Sequence, residues 1–486
     1  MNKVIVIGSG IGSLSTAIRL KAKGFDVEVF EKNSSPGGKL STIEIGKYRF
    51  NTGPSLFTMP HFVDELFEIL DENPREHFNY IKKDITCRYF WDDGKNFTAY
   101  DDWEKFINEC ELKFDIKKSL ILKYLKKSKK KYDLTENIFI KKSLHKLKNL
   151  ISFETLKALI KINTFQLFKS LNEVNEKELK NKYLVQLFNR FATYNGSSPY
   201  KTPGMMTAIQ NAEKYYGTYI PEKGMGDITN SLFNLAKRHG VKFYFNSNVS
   251  EIIINDDVAK GVKVNNKDFY SDIVVTNSDV YNTYRFLLKD KRRIKALEQE
   301  RSSSAIIFNW GIKKTFKELD LHNIFFSNNY EEEFDYIFNK KELYFDPTIY
   351  INITCKDLPS DSPEECENWY VMVNSPYNNE QDWDKIKVEL KINILKKLNK
   401  ILGDNIEKYI EEEKITTPLE IESTTNSYKG SLYGTSSNSI FSAFLRHPNF
   451  SSEISNLYFC GGSVHPGGGI PLCIMSGKII SDLIKT

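Results

Sequence analysis

Lys3-Val4-Ile5-Val6-Ile7-Gly8-Ser9-Gly10-Ile11-Gly12-Ser13 decides the fold. The run from Lys3 to Ile7 is almost continuously apolar, as expected of a parallel strand covered on both faces. Leu14, Ala17 and Ile18 then recur at helical spacing up to a stop at Gly24. A second strand, Val27-Glu28-Val29-Phe30, ends in Glu31. Strand, glycine turn, helix, strand and acidic residue together predict a doubly wound α/β domain that binds an adenine dinucleotide. Glycine is required because the pyrophosphate lies against the backbone and on the free N–H groups of the helix start. Ser13 stands where the third glycine usually falls. Glu31 is placed to accept ribose hydroxyls; an Arg there would have suited a 2'-phosphate.

Two further stretches exceed what a simple nicotinamide site needs. Lys32-Asn33-Ser34-Ser35-Pro36-Gly37-Gly38-Lys39 follows the ribose acid directly, and Arg49-Phe50-Asn51-Thr52-Gly53-Pro54-Ser55 comes soon after. They suggest backbone and cation contacts to an extended cofactor. Near the other end, the strand Leu457-Tyr458-Phe459-Cys460 runs into Gly461-Gly462-Ser463-Val464-His465-Pro466-Gly467-Gly468-Gly469-Ile470-Pro471, and a helix to about Ile484 follows. Pro471 suits a first helical turn, where its missing N–H costs nothing. The partial positive charge of that helix start would stabilise negative charge on a flavin ring. His465 reads as a contact within this turn, with assistance to proton transfer as the alternative.

A chain of 486 residues implies two or three lobes. The net charge of +5 is small for this size but unevenly spread. Residues 113–161 hold fifteen Lys against Asp115, Asp133, Glu136 and Glu154, a local excess of +11 (15 − 4). Leu120, Ile121, Leu122, Tyr124 and Leu125, then Phe139, Ile140, Leu144, Leu147, Ile151 and Phe153, are interleaved with the lysines. The segment reads as basic amphipathic helices suited to an anionic membrane surface, or as an ordinary solvated helical lobe. Nucleic acid is not expected, because the segment has no arginine and no base-reading motif. No C-x-x-C pair, metal cluster, catalytic triad, signal peptide or run of about 18 apolar residues is apparent, so a cytoplasmic protein, soluble or peripheral to the inner membrane, is expected.

The middle of the chain returns to α/β character. A helix is expected from Gly224-Met225-Gly226-Asp227 towards Gly240, and strands at residues 241–245, 249–254, 261–264 and 272–279 should rejoin the cofactor domain. Residues 304–311, 348–354 and 369–374 predict the sheet of a second lobe. The expected division is cofactor domain at 1–75, 216–295 and 416–486, a helical substrate and membrane lobe at 76–215, and the substrate sheet at 296–415.

The chain resembles the bacterial carotenoid desaturases of the phytoene-desaturase type, within the wider amine-oxidase-like flavoproteins. The resemblance is carried by VIGSGIGSLSTAIRL (residues 6–20), FEKNSSPGGK (30–39), FNTGPSLFTMP (50–60), VVTNSD (274–279) and GGSVHPGGGIPLCIMSGK (461–478). It implies FAD held non-covalently in a Rossmann-like, amine-oxidase-type domain, an inserted α+β substrate lobe, a long apolar carotenoid as substrate, attachment to a membrane, and oxygen or a quinone as electron acceptor. The cofactor-binding residues expected on this basis are Gly8, Gly10, Gly12, Ser13, Glu31, Lys32, Gly38, Lys39, Leu40, Gly53, Pro54, Ser55, Val249, Gly461, Gly462, Gly469, Ile470 and Pro471. No catalytic side chain is assigned, since the flavin carries the redox chemistry. GPSLFTMP, residues 359–378, 428–441 and 444–450 look most like the branch that introduces a 3,4 double bond into 1-hydroxylated carotenoids. Phytoene desaturation, carotenoid isomerisation, an amine or porphyrinogen oxidase activity, and a flavin-free GDP dissociation inhibitor-like prenyl-protein binder are the alternatives.

Overall fold

The computed structural model describes residues 2–146, 155, 157, 160–290, 294 and 297–485. The opening stretch forms strand β1 (Lys3–Ile7), helix α1 (Ile11–Ala22) and strand β2 (Asp26–Phe30). β1 is the centre of a five-stranded parallel sheet, ordered Leu457–Phe459, Ile273–Thr276, β1, β2, Lys242–Tyr244. Its apolar run is continuous because both faces are covered. Val4 and Val6 pack against α1 and the helices Gly226–Arg238 and Ile470–Leu483. Ile5 and Ile7 pack against an antiparallel meander of Val249–Asn255, Val258–Val264 and Lys267–Tyr270. Strands expected at residues 249–254 and 261–264 therefore cover the parallel sheet rather than extend it. Residues of the first thirty and the last thirty share one core, which fixes the two glycine turns relative to each other.

A seven-stranded mixed sheet forms the second body, ordered Ile410–Thr416, Ser304–Ile312, Glu367–Ser375, Ile349–Ile353, His322–Phe325, Ile85–Phe90, Asn96–Tyr100. Only His322–Phe325 and Ile85–Phe90 pair in parallel. One face carries Phe308, Trp310, Ile351 and Trp369, filled by Trp383, Leu390, Ile394 and Leu398 of the helix Trp383–Leu402. Residues 76–215, expected as a helical lobe, also hold strands. They begin with Tyr80–Lys82, Ile85–Phe90 and Asn96–Tyr100, and the last two complete this sheet. Thr86, Tyr89, Phe90 and Phe97 are the β-favouring residues behind that outcome.

Part of the basic segment forms the helix Lys118–Thr135. Its apolar side is used internally: Ile121, Tyr124 and Leu125 pack with residues of Trp103–Phe114 and Lys182–Asn189. Lys131 is buried too, donating to Gln166 Oε1 (2.7 Å), Gly204 O (3.0 Å) and Thr207 Oγ1 (2.7 Å). Lys123, Lys126 and Lys130 remain exposed on the other side. Leu147, Ile151 and Phe153 lie outside the described residues. Among the described residues no helix is long and apolar enough to cross a membrane.

Candidate cofactor and substrate site

The glycine turn after β1 is held open by its neighbours. Gly8 has φ +86° and donates its N–H to Phe30 O at 2.7 Å. The N–H and the hydroxyl of Ser9 both donate to Glu31 Oε2 at 2.8 Å, and the N–H of Asn33 donates to Oε1 at 2.9 Å. Glu31 is only 5% exposed. It organises the loop, and a carboxylate with about four acceptor positions keeps capacity for a ribose hydroxyl. The N–H of Ser247 donates to Glu31 O at 2.8 Å, and Val249 starts its strand two residues further on.

The two ends of the chain meet at Gly12. A Cβ there would lie 2.9 Å from Gly461 N and 3.0 Å from Gly461 Cα. Asn277, just past the strand Ile273–Thr276, wedges between them. A Cβ on Gly10 would lie 2.5 Å from its Nδ2, and one on Gly461 2.0 Å from its Oδ1. Sequence reasoning did not single out Asn277. Its position at the carboxyl end of a parallel strand, where such sheets bind ligands, was the available signal.

The remaining loops close around this point. Gly37 bridges Gly10, and a Cβ on Gly38 would come within 3.9 Å of Gly10 Cα. A Cβ on Gly53 would be 2.0 Å from Lys39 O, so residues 39 and 53 must stay in backbone contact. Lys39 donates to Ser431 O (3.2 Å) and Leu432 O (2.8 Å). Burial pushes its pKa down to about 8, with Asp279 opposing the fall. Leu40 is buried, its carbonyl accepting from Thr229 Oγ1 at 2.8 Å. Ser55 Oγ shares a 2.7 Å hydrogen bond with Tyr350 OH on the seven-stranded sheet. Lys32 points elsewhere, donating to Ser423 O and Asn426 Oδ1 at 3.0 Å each.

Two helix starts contribute free N–H groups. α1 begins at Ile11 after Gly10, and Ile470–Leu483 begins after Gly469, which has φ +101°. Neither has a capping side chain or an acidic residue in its first turn. Their first-turn N–H groups and partial positive charges are therefore uncompensated by side chains. A Cβ on Gly469 would meet nothing within 4 Å, so that helix start faces open space. Pro471 occupies the first turn, as expected.

Other charged groups nearby were not foreseen. Arg301 contacts Asp279 and donates to Ser431 Oγ at 3.0 Å. Arg446, 3% exposed, donates to Tyr433 O (2.8 Å) and Gly462 O (3.4 Å), and burial pushes its pKa down to about 10. His465 Nε2 meets Lys142 O at 2.9 Å, and burial pushes its pKa down to about 4. It is a neutral tie between the turn and the basic segment. Among the described residues no group of His, Cys, Asp and Glu could hold a metal. The donor set fits a dianionic diphosphate with ribose at Glu31. It comprises uncapped helix starts, glycine backbone, Lys39 and a guanidinium with carbonyl partners.

Residues 14–485 match the family of flavin containing amine oxidoreductases. The chain is 52% identical over 485 residues, 100% of its length and 99% of the relative's, to a 1-hydroxycarotenoid 3,4-desaturase from a Flavobacterium species. It is 33% identical over 491 residues, covering 99% of this chain and 98% of the relative, to a 4,4'-diapolycopene oxygenase from a Methylomonas species. In fold it is similar to the crystal structure of an oxidoreductase from Methanosarcina mazei, with a TM-score of 0.64 and 15% identity over 99% of this chain and 100% of that one.

Proposed function

Because the chain belongs to the family of flavin containing amine oxidoreductases, we propose that it is an FAD-dependent carotenoid desaturase that forms the 3,4 double bond of a 1-hydroxylated carotenoid. The observation that carries this is full-length identity of 52% to a relative of that activity. The second relative, an oxygenase, makes oxygen insertion the outcome to be tested against.

Desaturation takes a hydride and a proton from adjacent saturated carbons, and bound FAD supplies the hydride acceptor. The protein's part is to hold, orient and dry. Gly8, Gly10, Gly12, Gly461 and Gly462 would let the diphosphate reach the backbone, Glu31 would hold the ribose, and Lys39 and the helix start at Ile470 would balance negative charge. Ser13, Gly38, Leu40, the loop Gly53-Pro54-Ser55, Val249, Gly469 and Pro471 would shape the same site. Lys32 would serve by fixing its loop, given its present partners. The face of the seven-stranded sheet bearing Ala305, Ile307, Tyr370 and Met372, with Leu432 beside it, offers an apolar floor for a polyene. Burying hundreds of Å² of such a chain at roughly 25 cal/mol per Å² gives ample binding energy, so selectivity must rest on end-group contacts.

An anionic membrane surface is the proposed source of so apolar a substrate. Lys123, Lys126 and Lys130 are exposed, and Ile160 and Phe168 are 76% and 95% exposed. Oxygen or a quinone would accept the electrons. The test is chromatography of products after phytoene, lycopene and a 1-hydroxycarotenoid are supplied separately to the FAD-loaded enzyme. A 3,4-desaturated product from the hydroxylated substrate is expected; conversion of phytoene with the hydroxylated substrate untouched would overturn the substrate choice.

A further inference from the structure

The apolar floor of the seven-stranded sheet ends in a polar pair. On this face Ile307 stands opposite Met372, and Met372 opposite Tyr350. Met372 and Tyr350 are half-buried, so accessible surface remains here. Two residues on from Tyr350, and hence on the same face, Asn352 stands opposite His322. Directly opposed residues have Cβ atoms about 5 Å apart. His322 is 3% and Asn352 1% exposed, yet His322 Nε2 and Asn352 Oδ1 have no hydrogen-bond partner. Buried polar atoms rarely stay unmatched unless something else comes to meet them.

The rest of the network fixes what each atom offers. Ser55 Oγ meets Tyr350 OH at 2.7 Å, and Tyr350 OH meets His322 Nδ1 at 2.7 Å. The amide of Asn352 donates to Leu321 O at 2.9 Å and approaches His322 Nδ1 at 3.3 Å. An amide nitrogen only donates, so Nδ1 is an acceptor and Nε2 carries the proton. Burial keeps the ring neutral, its pKa pushed down to about 4. What remains is one N–H donor and one carbonyl acceptor on adjacent strands. That combination complements a hydroxyl, which accepts one hydrogen bond and donates one.

We propose that His322 and Asn352 form the subsite for the terminal hydroxyl of the carotenoid, the hydroxyl accepting from His322 Nε2–H and donating to Asn352 Oδ1. This rests on the substrate reading above and deepens it. Chemistry sets a further requirement: in a 1-hydroxylated chain the carbon bearing the hydroxyl lies only two bonds from carbon 3, where the new double bond begins. The subsite must therefore lie close to the cofactor. The Ser55–Tyr350–His322 chain meets this, since it runs from the loop proposed to hold FAD to the polar pair. An unhydroxylated polyene would leave both buried atoms unmatched, and so would be rejected.

The test uses the FAD-loaded full chain and two carotenoids of equal length, one with and one without the 1-hydroxyl, each measured as substrate or as competitive inhibitor. Asn352→Leu removes the acceptor at nearly constant volume. The preference for the hydroxylated substrate should fall about tenfold to a hundredfold, carried by KM, while handling of the other chain is unchanged or improved. His322→Phe should do the same, and His322→Gln, which restores an N–H donor, should recover most of the preference. Flavin content of each purified variant reports folding independently of activity. An unchanged preference in Asn352→Leu and His322→Phe overturns the subsite and leaves the substrate reading standing. A parent enzyme with no preference for the hydroxylated substrate overturns both.

Discussion

Asn277, Glu31 and Lys39 show how single side chains shape the glycine turns proposed to hold FAD. Asn277 occupies the space that a Cβ on Gly10 or Gly461 would need, so the turns stay glycine for reasons of packing as well as ligand approach. Glu31 ties down Ser9 through two hydrogen bonds and Asn33 through a third. Glu31→Arg removes all three and places a cation beside the helix start. Charge-assisted bonds contribute about 1.5–3 kcal/mol each, so FAD affinity should fall at least tenfold in a flavin-fluorescence titration. In the proposed site Lys39 should make that affinity pH-dependent. Burial lowers its pKa to about 8, so the cation that would pair with the diphosphate is lost as pH rises through that value. FAD affinity should weaken above about pH 8 in the parent and stay flat over the same range in Lys39→Met. The glycine turns, with Glu31 and Lys39 beside them, were legible in sequence as loops following strands because those signals are local. Arg446 and the His322–Asn352 pair were not, because register and long-range packing alone give them their neighbours, and Asn277 was readable only as a position within VVTNSD at the carboxyl end of a strand.

At the scale of elements, α1 and the helix Ile470–Leu483 bring the beginning and end of the chain together. Ser15 Oγ donates to Ile474 O at 2.8 Å, and a Cβ on Gly477 would lie 2.7 Å from Ser15 Oγ and 2.8 Å from Thr16 N. Gly477→Val should therefore force the helices apart. Overpacking of this kind costs about 1–3 kcal/mol, to be read as a lowered denaturant midpoint together with loss of flavin. The opening strand–helix–strand unit and the last helix were readable from their periodicity and glycine signals. The helix Lys118–Thr135 was readable as amphipathic, but an apolar stripe does not say what covers it. Here the protein's own helices cover it, leaving exposed lysines as the surface offered outward. Ile85–Phe90 was missed because its other partner, His322–Phe325, lies more than two hundred residues away, and Asn96–Tyr100 joins the sheet only through Ile85–Phe90.

At the scale of the whole molecule, loops of the cofactor domain reach the second body: Ser55 meets Tyr350 of the seven-stranded sheet, and Lys39 meets the carbonyls of Ser431 and Leu432 beside it. On the proposed reading, redox chemistry and substrate floor would thereby be set against each other. The exposed lysines of the helix Lys118–Thr135, Lys123, Lys126 and Lys130 among them, add a surface property. Each Lys near an anionic bilayer contributes about 1 kcal/mol, and salt screens that attraction. Binding to anionic vesicles should therefore exceed binding to neutral ones at low salt and decline as salt is raised; equal co-sedimentation with both would remove the electrostatic role. The central claim is that bound flavin takes a hydride from a hydroxylated carotenoid. Its most direct test is an anaerobic single turnover, in which FAD-loaded enzyme is mixed with excess 1-hydroxycarotenoid and the products are separated by chromatography with mass detection. The account predicts a product with two fewer hydrogens, no added oxygen, a new 3,4 double bond, and a yield equal to the enzyme-bound flavin. A product of unchanged mass, one carrying added oxygen, or none at all from flavin-loaded enzyme would contradict it.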